Sequence, residues 1–136
     1  MIVICVRGTA NTGKTSAVRA FLKSCGVYLP DKPRDVRIVV PLLFEGQLLR
    51  VGVVSGGDSG EVVAKGLEFL GQHNCQVVVC AARSYGDTHT EVDRFVRQHN
   101  AQLEPVPTRW MTATEREAET ARIVKEIRRL IVKRAT

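Results

Sequence analysis

Residues Arg7–Ser16 read RGTANTGKTS, and their reading decides the fold. The stretch follows an apolar β-rich run, Ile2-Val3-Ile4-Cys5-Val6, and precedes a segment of helical periodicity from about Gly13 to Cys25. In that segment Ala17, Val18, Phe21 and Leu22 fall on one face, and Gly26 stands where a left-handed residue would close the helix. A glycine-rich turn between a strand and a helix is a place where backbone N–H groups converge on an anion, aided by the positive end of the helix.

The residues inside the turn give that anion an identity. Gly8-Thr9-Ala10-Asn11-Thr12-Gly13-Lys14-Thr15 fits G-x-x-x-x-G-K-[ST], the Walker A pattern. Gly8 and Gly13 permit angles and approaches that a Cβ would block. Lys14 would reach the β- and γ-phosphates of a nucleotide, and the Thr15 hydroxyl would ligate Mg²⁺. Residues 8–16, through Ser16, form the expected nucleotide cradle. At average composition the four fixed positions match by chance in about 1% or less of chains this long, so coincidence is a poor explanation.

Outward from this stretch, apolar runs alternate with helical patterns, the signature of an α/β sheet. Val36–Phe44 and Gln47–Val54 are separated only by Glu45-Gly46, a gap that admits only an antiparallel hairpin. Pro41 marks the first of the pair as an edge strand. Ser55–Gly60 is a glycine-rich turn, and Asp58 with Glu61 has capping-box spacing for a helix ending near Leu70. Cys75–Ala82 reads as a central buried strand. Thr88 and Glu91 open a further helix that ends near His99-Asn100, and Gln102–Val106 reads as a short strand. Thr112 and Glu115 cap the last helix, with Ala121, Val124, Ile127 and Ile131, joined by Ile123 and Leu130, as its buried stripe.

The 136 residues suit one domain, residues 1–136. No apolar run approaches the roughly 20 residues of a membrane span, and no signal-peptide pattern opens the chain. Cys5, Cys25, Cys75 and Cys80 lack metal-type spacing and read as small thiols in a reducing, cytoplasmic setting. The net charge of +6 concentrates in residues 109–136, where eight Lys/Arg oppose four Glu. Arg122, Lys125, Arg128, Arg129, Lys133 and Arg134 give the final helix a basic face that a nucleic acid could meet, although a solvated polar face is the preferred reading.

The motif and its setting resemble the P-loop NTPase superfamily over most of the chain. That resemblance implies a three-layer α/β sandwich around a mostly parallel sheet with one antiparallel edge strand. The order strand, loop, helix, hairpin, Gly-Asp turn is similar to small GTPases. The sequence also resembles small bacterial ATP-binding proteins that share a hairpin ending in Gly-Asp, here Gly57-Asp58, and a strand ending Cys-Ala-x-Arg, here Cys80-Ala81-Ala82-Arg83.

The superfamily pattern asks for an aspartate at the end of a strand beside the first, facing Mg²⁺; Asp58 is the candidate, so Thr15 and Asp58 are the expected metal residues. Gly56 and Gly57 could offer amides to a γ-phosphate. Arg83 would emerge on the same sheet edge and neutralise charge on a transferred phosphoryl group, making Lys14, Asp58 and Arg83 the expected catalytic set. Asp87 and His89 lie in the adjoining polar loop, and Trp110 with Met111 is a candidate base-stacking pair. Tyr28–Asp35 holds the place of a nucleotide-responsive loop but offers no threonine for the metal. No Asn-Lys-x-Asp element follows the later strands, which favours ATP over GTP. The expected function is Mg²⁺-dependent binding and hydrolysis of a nucleoside triphosphate, with turnover coupled to a protein partner. The alternatives are a small-molecule or nucleotide kinase and a non-catalytic nucleotide-dependent binding protein.

Overall fold

A computed structural model describes residues 1–9, 12–56, 59–109 and 112–135. The chain runs β1 (Ile2–Arg7), α1 (Lys14–Ser24), β2 (Arg37–Phe44), β3 (Gln47–Val54), α2 (Gly60–Gly71), β4 (Val77–Ala82), α3 (Gly86–Gln98), β5 (Gln102–Pro107) and α4 (Ala113–Ala135). The strands form one five-stranded sheet in the order β2-β3-β4-β1-β5. Every pairing is parallel except β2 with β3.

The alternation of side chains along β1 sorts the helices into two layers. Ile2, Ile4 and Val6 face a core built with Ala17, Val18, Phe21 and Leu22 of α1 and Ile123, Ile127, Leu130 and Ile131 of α4. Val3 and Cys5 face the opposite core, built with Val63, Leu67 and Leu70 of α2 and Val92 and Phe95 of α3. The sheet is therefore sandwiched, and its inner strands are apolar on both faces, as parallel strands covered by helices must be. All six residues of β4 are buried. Cys5 and Cys80 lie opposite each other across β1 and β4, and the Cys80 thiol is held well above its ordinary value by its hydrogen bond to Cys5 and by burial.

The hairpin forms for the reason the two-residue gap implied. Glu45 (φ 49) and Gly46 (φ 77) are both left-handed, the geometry whose twist matches the strands it joins. Its tip carries Leu43 and Leu48, paired in register and exposed on the sheet face away from Leu42 and Leu49. Gly26, also left-handed, closes α1, and Val27 N–H returns to Leu22 O.

Four expectations need correction. The strand leading to Asp58 does not lie beside the first strand, because β4 stands between β3 and β1; the small-GTPase-like arrangement fails there. A strand apolar on both faces takes the enclosed central place, and the one-helix crossover through α2 delivers it there. The cap of α2 is Ser59, whose hydroxyl accepts from Val62 N–H, one residue past the expected Asp58. Thr88 lies inside α3, which begins at Gly86. Ala121 is exposed, and Glu119 takes a buried place on α4.

Ile127 is fully buried between α4 and the sheet. Ile127→Ala should cost about 2–5 kcal/mol in denaturant unfolding, against less than about 0.5 for Arg134→Ala on the exposed side.

Candidate functional site

The topology singles out one place on the carboxyl edge of the sheet. The chain leaving β1 enters α1 on one face, whereas the chain leaving its neighbour β4 enters α3 on the other. Adjacent parallel strands whose connections depart to opposite faces leave a crevice between them, where ligands of open α/β sheets bind. The loop after β1 and the residues Arg83–Tyr85 border this crevice.

The loop after β1 is tied down on both sides. Gly8 N–H donates to Ala82 O at 3.3 Å, which aligns it with the end of β4. On the β5 side, Thr108 donates to Arg7 O from both its N–H, at 2.6 Å, and its hydroxyl, at 3.0 Å. Thr12, only 5% exposed, completes the fastening: its hydroxyl donates to Thr9 O at 2.9 Å and lies 2.7 Å from the Thr108 hydroxyl. Gly8 is needed because a Cβ there would overlap Thr108 Oγ1 and come within 2.7 Å of Thr12 Oγ1.

Gly13 (φ 82) then turns the chain into α1 in a left-handed conformation unfavourable for other residues. As the N-cap it has no side chain to accept from the first-turn amides, and that turn holds no acidic residue. α2, by contrast, has Ser59 as a cap and Glu61 in its first turn. The opening amides of α1 therefore keep their affinity for an anion. Lys14 reaches back across the loop, and its ammonium donates to Thr9 O at 2.7 Å and Gly8 O at 3.2 Å. Thr15 and Ser16 follow in the same turn, both half-buried.

Of the remaining expected residues, Arg83 stands directly beyond Ala82, whose register partner is Arg7, so it lies level with Gly8. Its N–H donates to the Thr88 hydroxyl at 2.9 Å, and Thr88 is buried, which fixes the start of this loop. Ala10, Asn11, Gly57, Asp58, Trp110 and Met111 lie outside the described residues. Asp87 and His89, expected in a polar loop, lie instead in the first turn of α3, where His89 Nδ1 is 3.3 Å from Asp93 Oδ2 one turn along the same helix. Asp93 also meets Arg7 Nη2 at 3.3 Å. That pairing ties the imidazole to the ion pair beneath the loop. Asp87 packs on Gly60, bringing the starts of α2 and α3 together.

Sequence reasoning missed three contributors. Thr12 was included only as a cradle position, and nothing in the spacing revealed Thr108 as its partner across 96 residues. Asp35 was passed over; its carboxylate covers Gly56 (φ 87), where a Cβ would overlap it. The adjacent Val36 N–H donates to Ser55 Oγ at 3.0 Å, and Ser55 N–H returns to Val36 O at 2.9 Å. Glu119, 4% exposed, pairs with Arg122 and, at 3.3 Å, with Arg109, while Arg122 also donates to Pro107 O at 2.9 Å. This cluster pins the end of β5 to α4. Three cations of the expected basic face are thereby occupied within the chain: Arg122 here, Arg129 by Glu126, and Arg128 by Ser24, Cys25 and the Phe44 ring.

No family model matches the chain, and no curated protein matches it. Among solved structures, a chain described as the crystal structure of APE1195 is similar at 15% identity and a TM-score of 0.45, over 97% of this chain and 71% of that one. A likeness of that degree carries no argument about function. Among the described residues, no helix is long and apolar enough to cross a membrane.

Two outcomes follow from this geometry. Gly8→Ala should lower stability by about 1–3 kcal/mol, and adding Thr108→Ala should recover part of that loss, measured as a double-mutant cycle in denaturant. The hydrogen bond from Arg122, against the cost of burial, holds the Glu119 carboxyl below its ordinary value of 4.5. A depressed carboxyl contributes stability that is present above the unfolded value and lost as pH falls through the folded one. Wild-type stability should therefore fall from about pH 5 to about pH 3, and Glu119→Gln should lose less over that interval.

Proposed function

We propose that this chain is a P-loop nucleoside triphosphatase that binds Mg²⁺–ATP in the loop after β1. One observation carries the reading: a helix whose opening amides have no side-chain cap and no acidic neighbour begins at a left-handed Gly13, with Lys14 folded across the same loop. The resemblance of Gly8–Thr15 to the Walker A pattern supplies the ligand.

Each residue then has a task. The amides of the loop and of the first turn of α1 surround the phosphates, and Gly8 and Gly13 allow the backbone to approach them. Lys14 holds charge on the β- and γ-phosphates from within the loop. The Thr15 hydroxyl is the group that would hold Mg²⁺, and the ion when bound would draw off charge developing on the phosphoryl oxygens. Thr15 suits this task by lying in the same half-buried turn as Lys14. Arg83, level with Gly8 at the end of β4, would stabilise the transferred group. Adenine remains the favoured base, because the sequence carries no Asn-Lys-x-Asp element.

Purified protein with Mg²⁺–ATP should release inorganic phosphate without any added acceptor. Lys14→Ala should reduce that release to background and weaken nucleotide binding at least tenfold, while melting at an unchanged temperature. Phosphate release that appears only with an added acceptor would mark a kinase instead.

A further inference from the structure

The segment before β2 carries a residue for which the sequence reading had no role. Arg34 donates from Nη2 to Ser16 Oγ at 2.9 Å, against the first turn of α1. We propose that Arg34 is an anion-binding residue of the phosphate site, a second cation held beside Lys14 for the polyphosphate chain of the nucleotide. This inference rests on the phosphate-binding reading above.

Its position is fixed from both sides. Arg19, one turn along α1, donates to the backbone carbonyls of Pro30, Pro33 (3.3 Å) and Arg34 (3.0 Å). On the other side, the Asp35 carboxylate rests on Gly56, and Val36 exchanges hydrogen bonds with Ser55. Residues 30–36 thus form a strap between the flank of α1 and the end of β3. Arg34 faces α1, and Asp35 faces the Gly56 turn.

Holding the strap does not explain the guanidinium, because Arg19 already grips three of its carbonyls. Electrostatics argues further against a purely structural role. The start of a helix is its positive end, which disfavours cations, and this first turn contains Lys14 and no acidic residue. A guanidinium brought to that end of a helix is best served by an anion that both can contact. The guanidinium has five N–H donors in a planar fork suited to phosphate oxygens, and the Ser16 hydroxyl accepts from only one nitrogen. Arg34 is exposed at the surface, as an anion contact requires.

The test is titration calorimetry of wild type, Arg34→Gln, Arg34→Lys and Lys14→Ala with Mg²⁺–ATP and with inorganic tripolyphosphate, which has no base or ribose. Arg34→Gln should weaken both ligands by about tenfold, the usual scale for a lost charge-assisted hydrogen bond. Arg34→Lys should weaken them by about threefold at most. Both variants should melt as the wild type does, and the salt dependence of binding should flatten in Arg34→Gln. Wild-type affinity in Arg34→Gln overturns the inference, and so does a loss that Arg34→Lys shares in full together with a lowered melting temperature. If Lys14→Ala abolishes binding while Arg34→Gln leaves it intact, only this inference fails. If the wild type binds neither ligand, the phosphate-binding reading fails with it.

Discussion

β1 is buried on both faces and paired in parallel on both edges, and that double confinement organises the molecule. A strand so placed cannot end in a free loop. The residue that follows it is hydrogen-bonded to β4 on one side, and its last carbonyl is taken by Thr108 beyond β5 on the other. Gly8, Thr9 and Thr12 of the loop are thereby held by contacts made on folding. Gly8 is the residue that makes such close threading possible, since the two threonine hydroxyls occupy the space of a side chain.

Much of this was legible in the residue order. The apolar runs gave each strand, the two-residue gap gave the hairpin, and Pro41 gave its edge position, because each rests on local geometry that no distant contact overrides. Strand order was not legible. Nothing within β4 states which neighbours it will have, and only the packing of α2 and α3 on one face puts it between β3 and β1. Helix starts shifted for a related reason. Ser59 and Asp58 both suit a cap, and Thr88 lies within the first turn of α3, where its hydroxyl accepts from Arg83 N–H.

The site divides in the same manner. The turn at Gly13 and the helix that follows it could be read from the sequence, since a glycine before an amphipathic segment marks such a start locally. Arg34, Asp35, Thr108 and Glu119 could not, because each acts through a partner far away in sequence. Glu119 is the clearest instance: helical periodicity favours an apolar residue at a buried position, and two arginines make the carboxylate acceptable there. The same pairings hold Arg109 and Arg122 against the chain itself, which the count of charges along the sequence could not reveal.

The strap of residues 30–36 joins α1 to the root of the hairpin. It fastens the flank of α1 to the turn at Gly56, with the Arg19 guanidinium on its backbone carbonyls at one end and a seated carboxylate at the other. No slack loop lies between these anchors. The root of the hairpin is therefore fixed to α1 through the strap, while Leu43 and Leu48 stand exposed at its far end.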